Sequence, residues 1–344
     1  MGLKVALVGA TGAVGTELLR ILEERAFPID ELRVFASSGS AGRTVRFRGD
    51  EVPIRELSLD GLEGTDLSFS AAGASVARSF VRDAAAAGTV CIDKSSAFRM
   101  ETDVPLVIPE VNPEALAGDP RIVAVPNCTT IVALMALAPL HRAAGLRSLV
   151  LSSYQAVSGA GREGVAELAE QTEKLHTHLD ELGHPDVETL PVGEAFGKTI
   201  AFNILPKIDR FDGHGSTAEE VKTVEESRKI LALEDLDVAA TCVRVPVPVG
   251  HSVSLHARFS TPIDPDDART LLSQAPGVEL RDDPANGIFP TPLEAAGRDE
   301  VLVGRVRRVN GRGDTLQLFA CGDNLRKGAA LNGIQIAERL FSLA

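Results

Sequence analysis

Residues 3–22 read Leu3-Lys4-Val5-Ala6-Leu7-Val8-Gly9-Ala10-Thr11-Gly12-Ala13-Val14-Gly15-Thr16-Glu17-Leu18-Leu19-Arg20-Ile21-Leu22. Apart from Lys4, residues 3–8 are apolar, and the run is short, which predicts a buried strand. Glycines follow at 9, 12 and 15, and Thr16 to Leu22 has helical spacing. Strand, glycine turn and helix is the context in which backbone approaches a pyrophosphate and a helix N-terminus faces the anion. A plain glycine-rich turn is the alternative. The place of this stretch at the head of an alternating chain favours nucleotide binding.

The following segments continue the alternation. A second strand is predicted near Leu32–Ala36. The loop after it, Ser37-Ser38-Gly39-Ser40-Ala41-Gly42-Arg43, has hydroxyls and an arginine but no acid. An NAD enzyme often carries Asp or Glu there for the ribose 2′-hydroxyl, so the loop favours the 2′-phosphate of NADP. Asp66–Gly73 and Val90–Asp93 read as strands, with a helix over 75–87 between them. Cys91 lies in the apolar run and is expected in the core, whereas Arg99 ends the polar loop Lys94–Arg99. Strand-end loops are where open α/β sheets bind ligands.

The stretch Arg121-Ile122-Val123-Ala124-Val125-Pro126-Asn127-Cys128-Thr129-Thr130 leads into the apolar run Ile131–Leu140. A strand ends at Pro126 and a helix is predicted from Thr129 to about His141, so Cys128 falls at the junction. The N–H groups and dipole of that helix favour a thiolate. On this stretch alone, a reactive thiol and a small buried apolar residue are equally good readings.

Beyond residue 145 the pattern changes. Ser148–Val157 predicts a long strand, Ser158–Arg162 a small-residue loop, and 163–182 a polar helix whose His176 and His178 are solvated. Ile200–Ile208 is strand-like, Thr217–Leu231 a charged helix, and Val238–Val249 a strand series. Glu219 and Lys222 share a helix face. His251 follows a glycine at a strand edge and is a plausible reactive group. Val253–Phe259 alternates as an antiparallel strand, with His256 on the solvated face. The tail from Asp323 to Leu343 predicts an amphipathic helix that packs back on the first domain.

The expected fold is therefore α/β: a Rossmann-like, doubly wound nucleotide-binding domain over 1–127, joined by the C-terminal helix at about 323–344. A catalytic and dimerisation domain of α+β type with a mostly antiparallel sheet spans 128–322. A length of 344 residues suits two cores. A net charge of −13 argues against a general nucleic-acid or anionic-membrane binder. The longest apolar run is too short to span a bilayer, and the N-terminus reads as a strand rather than a signal peptide. Four scattered cysteines form no CxxC pair and fit a reducing, cytoplasmic setting with no metal.

Seven stretches, in order and at matching spacing, resemble the aspartate-semialdehyde dehydrogenase family over nearly the whole chain. They are VGATGAVG (8–15), PNCTT (126–130), SYQAVSGAG (153–161), AFNILPKID (201–209), TAEEVK (217–222), TCVRVPVPVGHS (241–252) and DNLRKGAALN (323–332). The resemblance implies Cys128 as nucleophile, His251 as general acid/base and Gln155 as the residue orienting the substrate or thioester. It implies that Glu219 and Arg244 hold the amino-acid end of the substrate, and Arg99, Asn127 and Lys222 its phosphate. NADP contacts are implied at Gly9, Thr11, Gly12, Ala13, Val14, Ser37, Gly39, Ser40, Ser158, Gly159 and Asn324.

The implied reaction is NADPH-dependent reduction of L-aspartyl-4-phosphate to the 4-semialdehyde, on the route to lysine, threonine and methionine, in a homodimer or a dimer of dimers. Two departures stand out. Thr129 and Val132 replace the family's usual serine and glutamine, and Gly39 stands where an arginine is common; Arg43 is the candidate compensating charge. The rival readings are N-acetyl-glutamyl-phosphate reductase, which resembles this plan, and a catalytically inactive relative. The residues at 219, 222, 244 and 251 favour the aspartyl enzyme.

Overall fold

A computed structural model describes residues 2–177, 179–309 and 311–343. His178, expected to be solvated, lies outside the described residues. The chain divides into two compact units: Met1–Ala138 with Glu225–Asp235 and Leu325–Ala344, and Pro139–Val224 with Leu236–Asn324.

The first unit holds a seven-stranded sheet of β1 (Leu3–Val8), β2 (Ile29–Ala36), β3 (Thr44–Phe47), β4 (Asp50–Glu56), β5 (Leu67–Ser70), β6 (Val90–Asp93) and β7 (Ile122–Ala124). The order is β3-β4-β2-β1-β5-β6-β7. All pairings are parallel except the β3–β4 hairpin. That hairpin had no sequence reading; it turns through Arg48 and Gly49, both at positive φ. Because β2 and β5 flank β1 on opposite sides, the chain reverses at the end of β1. This is the switch point where a doubly wound sheet opens a crevice.

The helices α1 (Ala13–Glu24), α2 (Leu59–Leu62) and α3 (Ala74–Ala86) connect these strands. Val5 to Val8, Leu67, Phe69 and Ile92 are buried in the sheet, and α1 packs Leu18, Leu19, Ile21 and Leu22 inward. Each such side chain, fully buried, contributes about 1.5–3 kcal/mol of transfer free energy. α4 (Cys128–Ala144) starts in this unit.

The second unit carries a six-stranded sheet of β8 (Leu146–Gln155), β9 (Asp237–Arg244), β10 (His251–Phe259), β11 (Val278–Leu280), β12 (Val301–Val309) and β13 (Arg312–Gly322), ordered β11-β12-β13-β10-β8-β9. The three central pairings are antiparallel, and the two edge pairings, β11–β12 and β8–β9, are parallel. The helices α5 (Gly161–Leu175), α6 (Ala218–Leu231), α7 (Pro265–Ser273) and α8 (Pro292–Ala295) follow in order, with residues 225–231 of α6 in the first unit.

Three expectations change here. Ile200–Ile208 is no strand: it makes a single bridge, Leu205 to Arg244. Phe202 sits at φ 57°, Asn203 bonds Thr199 O and Ile204 N, and Pro206 lacks a donor, so a ladder cannot form. The strand expected to reach Val249 stops at Arg244, because Pro246 and Pro248 follow. The polar helix after 163 ends at Leu175, where the exposed His176 caps it. His256 is half-buried on the face opposite Val253, Leu255 and Ala257, beside Gln317.

The C-terminal segment belongs to the first unit. A π-helical turn, Arg326–Ala330, leads into α9 (Leu331–Leu340), which packs on α1 and β6. Lys327 is fully buried, and its ammonium donates to Glu110 Oε2 (2.6 Å), Asn332 Oδ1 (3.2 Å) and Gln335 Oε1 (2.7 Å). Three acceptors match its three protons, which offsets the desolvation of the charge.

Candidate active site

Cys128 opens α4, and Asn127 caps it: Asn127 Oδ1 accepts from Thr129 N at 2.8 Å. The helix's own first turn holds no acidic residue. Cys128 is half-buried, whereas Cys91, Cys242 and Cys321 are buried. Burial pushes each of those three thiols up to about 12, so they stay protonated at neutral pH. In the same unit Arg99 is buried, with Nη1 donating to Glu226 Oε1 (2.9 Å) and Nη2 to Lys94 O (2.8 Å). Glu226 Oε2 accepts the backbone N–H of Asn127 (2.7 Å), joining Arg99 to the cysteine elbow.

The second unit gathers another cluster at the end of β8. His251, the first residue of β10, is buried, and its Nδ1 accepts the N–H of Ala156 (3.1 Å). That bond makes Nε2 the protonated nitrogen of the neutral ring. Arg244 ends β9 and donates Nη1 to Ala156 O (2.6 Å), so the backbone of one residue orients both side chains. Gly159 lies against them: a Cβ there would sit 2.7 Å from Arg244 Nη1 and 3.2 Å from His251 Cε1. Gln155 Nε2 donates to Ser153 Oγ (3.2 Å) and Glu219 Oε1 (3.3 Å).

Glu219 Oε2 is 3.6 Å from Lys222 Nζ, which also holds Asp209 Oδ2 at 2.7 Å. The helix bearing them starts on a reciprocal cap, Thr217 N to Glu220 Oε2 and Glu220 N to Thr217 Oγ1. Asn324 accepts from Gly250 N (2.9 Å) and donates to Ser158 Oγ (3.0 Å), tying the loop before α5 to the turn before His251. A cleft of about 620 Å³ in this unit is lined by Phe196, Lys198, Lys207, Asp209 and Arg244, among others. Its three cations and one acid suit an anionic ligand with an ammonium group.

A third site lies at the switch point of the first unit, in a cleft of about 420 Å³. Gly9, Thr11, Gly12 and Ser37 line it; Ala13, Val14, Gly39 and Ser40 do not. Gly9 is at φ 88°, and a Cβ would meet the Ala71–Ala72 backbone at 2.9 Å. At Gly15 a Cβ would lie 2.2 Å from Gly9 O, so only glycine lets α1 approach β1 this closely. Gly12 caps α1 without a side-chain bond, and no acid sits in its first turn. A dinucleotide's pyrophosphate fits this uncapped helix start. The candidate Arg43 is not among the lining residues, and the charged one is Glu56, from the end of β4.

Sequence reading missed Glu56, Asp209 and Glu226. Asp209 sits inside the quoted AFNILPKID stretch, yet no spacing rule ties it to Lys222. Glu56 and Glu226 are distant in sequence from the residues they serve. Among the described residues no group of three His, Cys, Asp or Glu side chains could hold a metal, and no helix is long and apolar enough to cross a membrane.

Comparison with known proteins gives the class first. Residues 4–118 match the family model described as semialdehyde dehydrogenase, NAD binding domain, and residues 137–327 match semialdehyde dehydrogenase, dimerisation domain. The fold is that of a semialdehyde dehydrogenase with an NAD-binding and a dimerisation domain.

The relatives narrow this. Aspartate-semialdehyde dehydrogenase of Bacillus subtilis is 44% identical over 348 residues, covering 99% of this chain and 98% of that protein. The Streptomyces akiyoshiensis enzyme of the same name is 47% identical over 340 residues, covering 98% of each. The crystal structure of Vibrio cholerae aspartate semialdehyde dehydrogenase II complexed with ASA superposes with a TM-score of 0.92 at 42% identity, covering 99% of each chain. The chain belongs to the aspartate-semialdehyde dehydrogenase family, a family of oxidoreductases.

Proposed function

We propose that the protein reduces L-aspartyl-4-phosphate to L-aspartate 4-semialdehyde with NADPH, releasing phosphate, and runs the phosphate-dependent oxidation in reverse. The observation that carries this reading is the setting of Cys128, the one half-buried cysteine, at the first residue of a helix whose own first turn carries no acid. Its thiolate attacks the acyl carbon, the C–O bond to phosphate breaks, and an acyl-thioester forms on sulfur. Arg99, Asn127 and Lys222 hold the leaving phosphate. Arg244 pairs with the substrate carboxylate in a fork, and Glu219 takes its ammonium.

When bound, the reduced nicotinamide supplies a hydride. His251 steadies the oxyanion of the sulfur-bound adduct through a hydrogen bond from Nε2–H and is the general acid/base for its proton as the aldehyde leaves and the thiolate is released. Gln155, held by Ser153 and Glu219, orients the acyl oxygen. Gly9, Thr11, Gly12 and the 37–40 loop would hold the dinucleotide, with Ala13, Val14, Ser158, Gly159 and Asn324 as its further contacts. We take NADP as the coenzyme because the loop after β2 has no acid.

The working form is a homodimer; Val150 and Tyr154, 52% and 38% exposed on the open face of the second sheet, support a covered surface there. A cytoplasmic location accords with four free cysteines.

The test follows nicotinamide absorbance with L-aspartate semialdehyde, NADP and phosphate, each omitted in turn. Phosphate-dependent reduction of NADP, lost in Cys128→Ala while NADP still binds, is expected. Turnover only with N-acetyl-glutamate semialdehyde would move the assignment to the sister enzyme. Silence with both substrates in folded protein would make it an inactive relative.

A further inference from the structure

The geometry points to Glu226 as the positioning residue that fixes Arg99 and the peptide of Asn127 for phosphate displacement. This rests on the proposed role of Arg99 at the phosphate. Glu226 is 1% exposed and accepts at both oxygens, from Arg99 Nη1 (2.9 Å) and from Asn127 N (2.7 Å). The two donors come from different segments: the loop after β6 and the elbow that presents Cys128. A buried carboxylate bridging them sets their separation, because losing either donor leaves charge uncompensated.

Lys229, one turn further along α6, reinforces the same loop. Its ammonium donates to the carbonyls of Arg99 (2.7 Å), Glu101 (2.7 Å) and Val104 (2.8 Å). With Nη2 on Lys94 O, the Arg99 guanidinium is held at two of its nitrogens before any ligand arrives, while its buried Nε has no partner. A guanidinium whose rotamer is already fixed loses little entropy on binding phosphate.

Glu226→Gln tests this. The amide keeps the shape but offers one accepting oxygen, so its NH₂ faces either Arg99 or Asn127 N–H and one bond is lost. Displacements near 1 Å at a reacting centre cost up to about 10²-fold. In the oxidative direction Glu226→Gln should raise the phosphate KM at least about tenfold. The semialdehyde KM, NADP affinity and Tm should change little. Glu226→Asp, which keeps the charge on a shorter stem, should recover part of the loss, and it serves as the test variant if Glu226→Gln fails to fold. Arg99→Lys combined with Glu226→Gln should lose less than the two single losses multiplied.

A wild-type phosphate KM in folded Glu226→Gln, or equal rises for phosphate and semialdehyde, overturns the proposal. If Arg99→Lys also keeps the wild-type phosphate KM, the phosphate role of Arg99 fails instead. The rate of Cys128 alkylation then decides: a change of about threefold or more in Glu226→Gln upholds the Asn127 bond as functional, and an unchanged rate overturns it.

Discussion

Cys128 differs from the other three cysteines in surroundings rather than chemistry. Cys91, Cys242 and Cys321 are fully buried, and burial raises each thiol to about 12. A free cysteine titrates near about 8.5, so at neutral pH these three hold about 10³-fold less thiolate than a free one. Iodoacetamide at pH 7 should therefore modify Cys128 alone in native protein, and all four only after denaturation. Peptide mass mapping over time would read this, and equal rates at Cys128 and Cys242 would remove the basis for the nucleophile assignment. The same scale shows how much partner choice escapes a linear reading. Glu219 and Lys222 were paired from their three-residue spacing and lie 3.6 Å apart, yet the tighter partner of Lys222 is Asp209 at 2.7 Å.

Among the elements, the loop between β8 and α5 shows how backbone shapes a site. Ala156 contributes its N–H to His251 and its carbonyl to Arg244, while Gly159 lies where any side chain would press on both. The backbone of Gly159 is not left-handed, so the constraint is space rather than conformation. Gly159→Ala should leave Tm within a few degrees, since flexible side-chain ends can give way. It should lower kcat/KM by about 10- to 100-fold, because the displaced groups are those proposed to hold substrate and move the proton. Steady-state kinetics beside a thermal melt would separate the two effects; a large fall in Tm with unchanged kcat/KM would show that the loop serves stability alone. The β1–Gly9–α1 elbow is the opposite case. Its glycine spacing was legible because tight turn and close helix–strand packing both demand the residue locally.

For the whole molecule, the interleaved path of the chain matters most. The first unit is assembled from 1–138, 225–235 and 325–344. The last segment buries Leu331, Ile334 and Ile336, and places Lys327 on Glu110 and Arg326 on Glu17 and Glu24. Removing three buried aliphatic side chains costs about 2–5 kcal/mol each, against a total stability of about 5–15 kcal/mol. A chain truncated after Asn324 should therefore fail to fold its first unit, seen as a thermal transition of much smaller amplitude by circular dichroism; an intact melt would refute the dependence. By itself the sequence determined the alternating first sheet, the elbow at Cys128, the antiparallel heart of the second sheet and the family, because these rest on local periodicity, turn chemistry and motif order. Tertiary structure alone decided that Ile200–Ile208 turns instead of pairing, that Glu56 rather than Arg43 lines the dinucleotide cleft, and that Glu226 braces Arg99. Burial and hydrogen bonding between residues up to 127 positions apart set those outcomes, and no spacing rule along the chain encodes them.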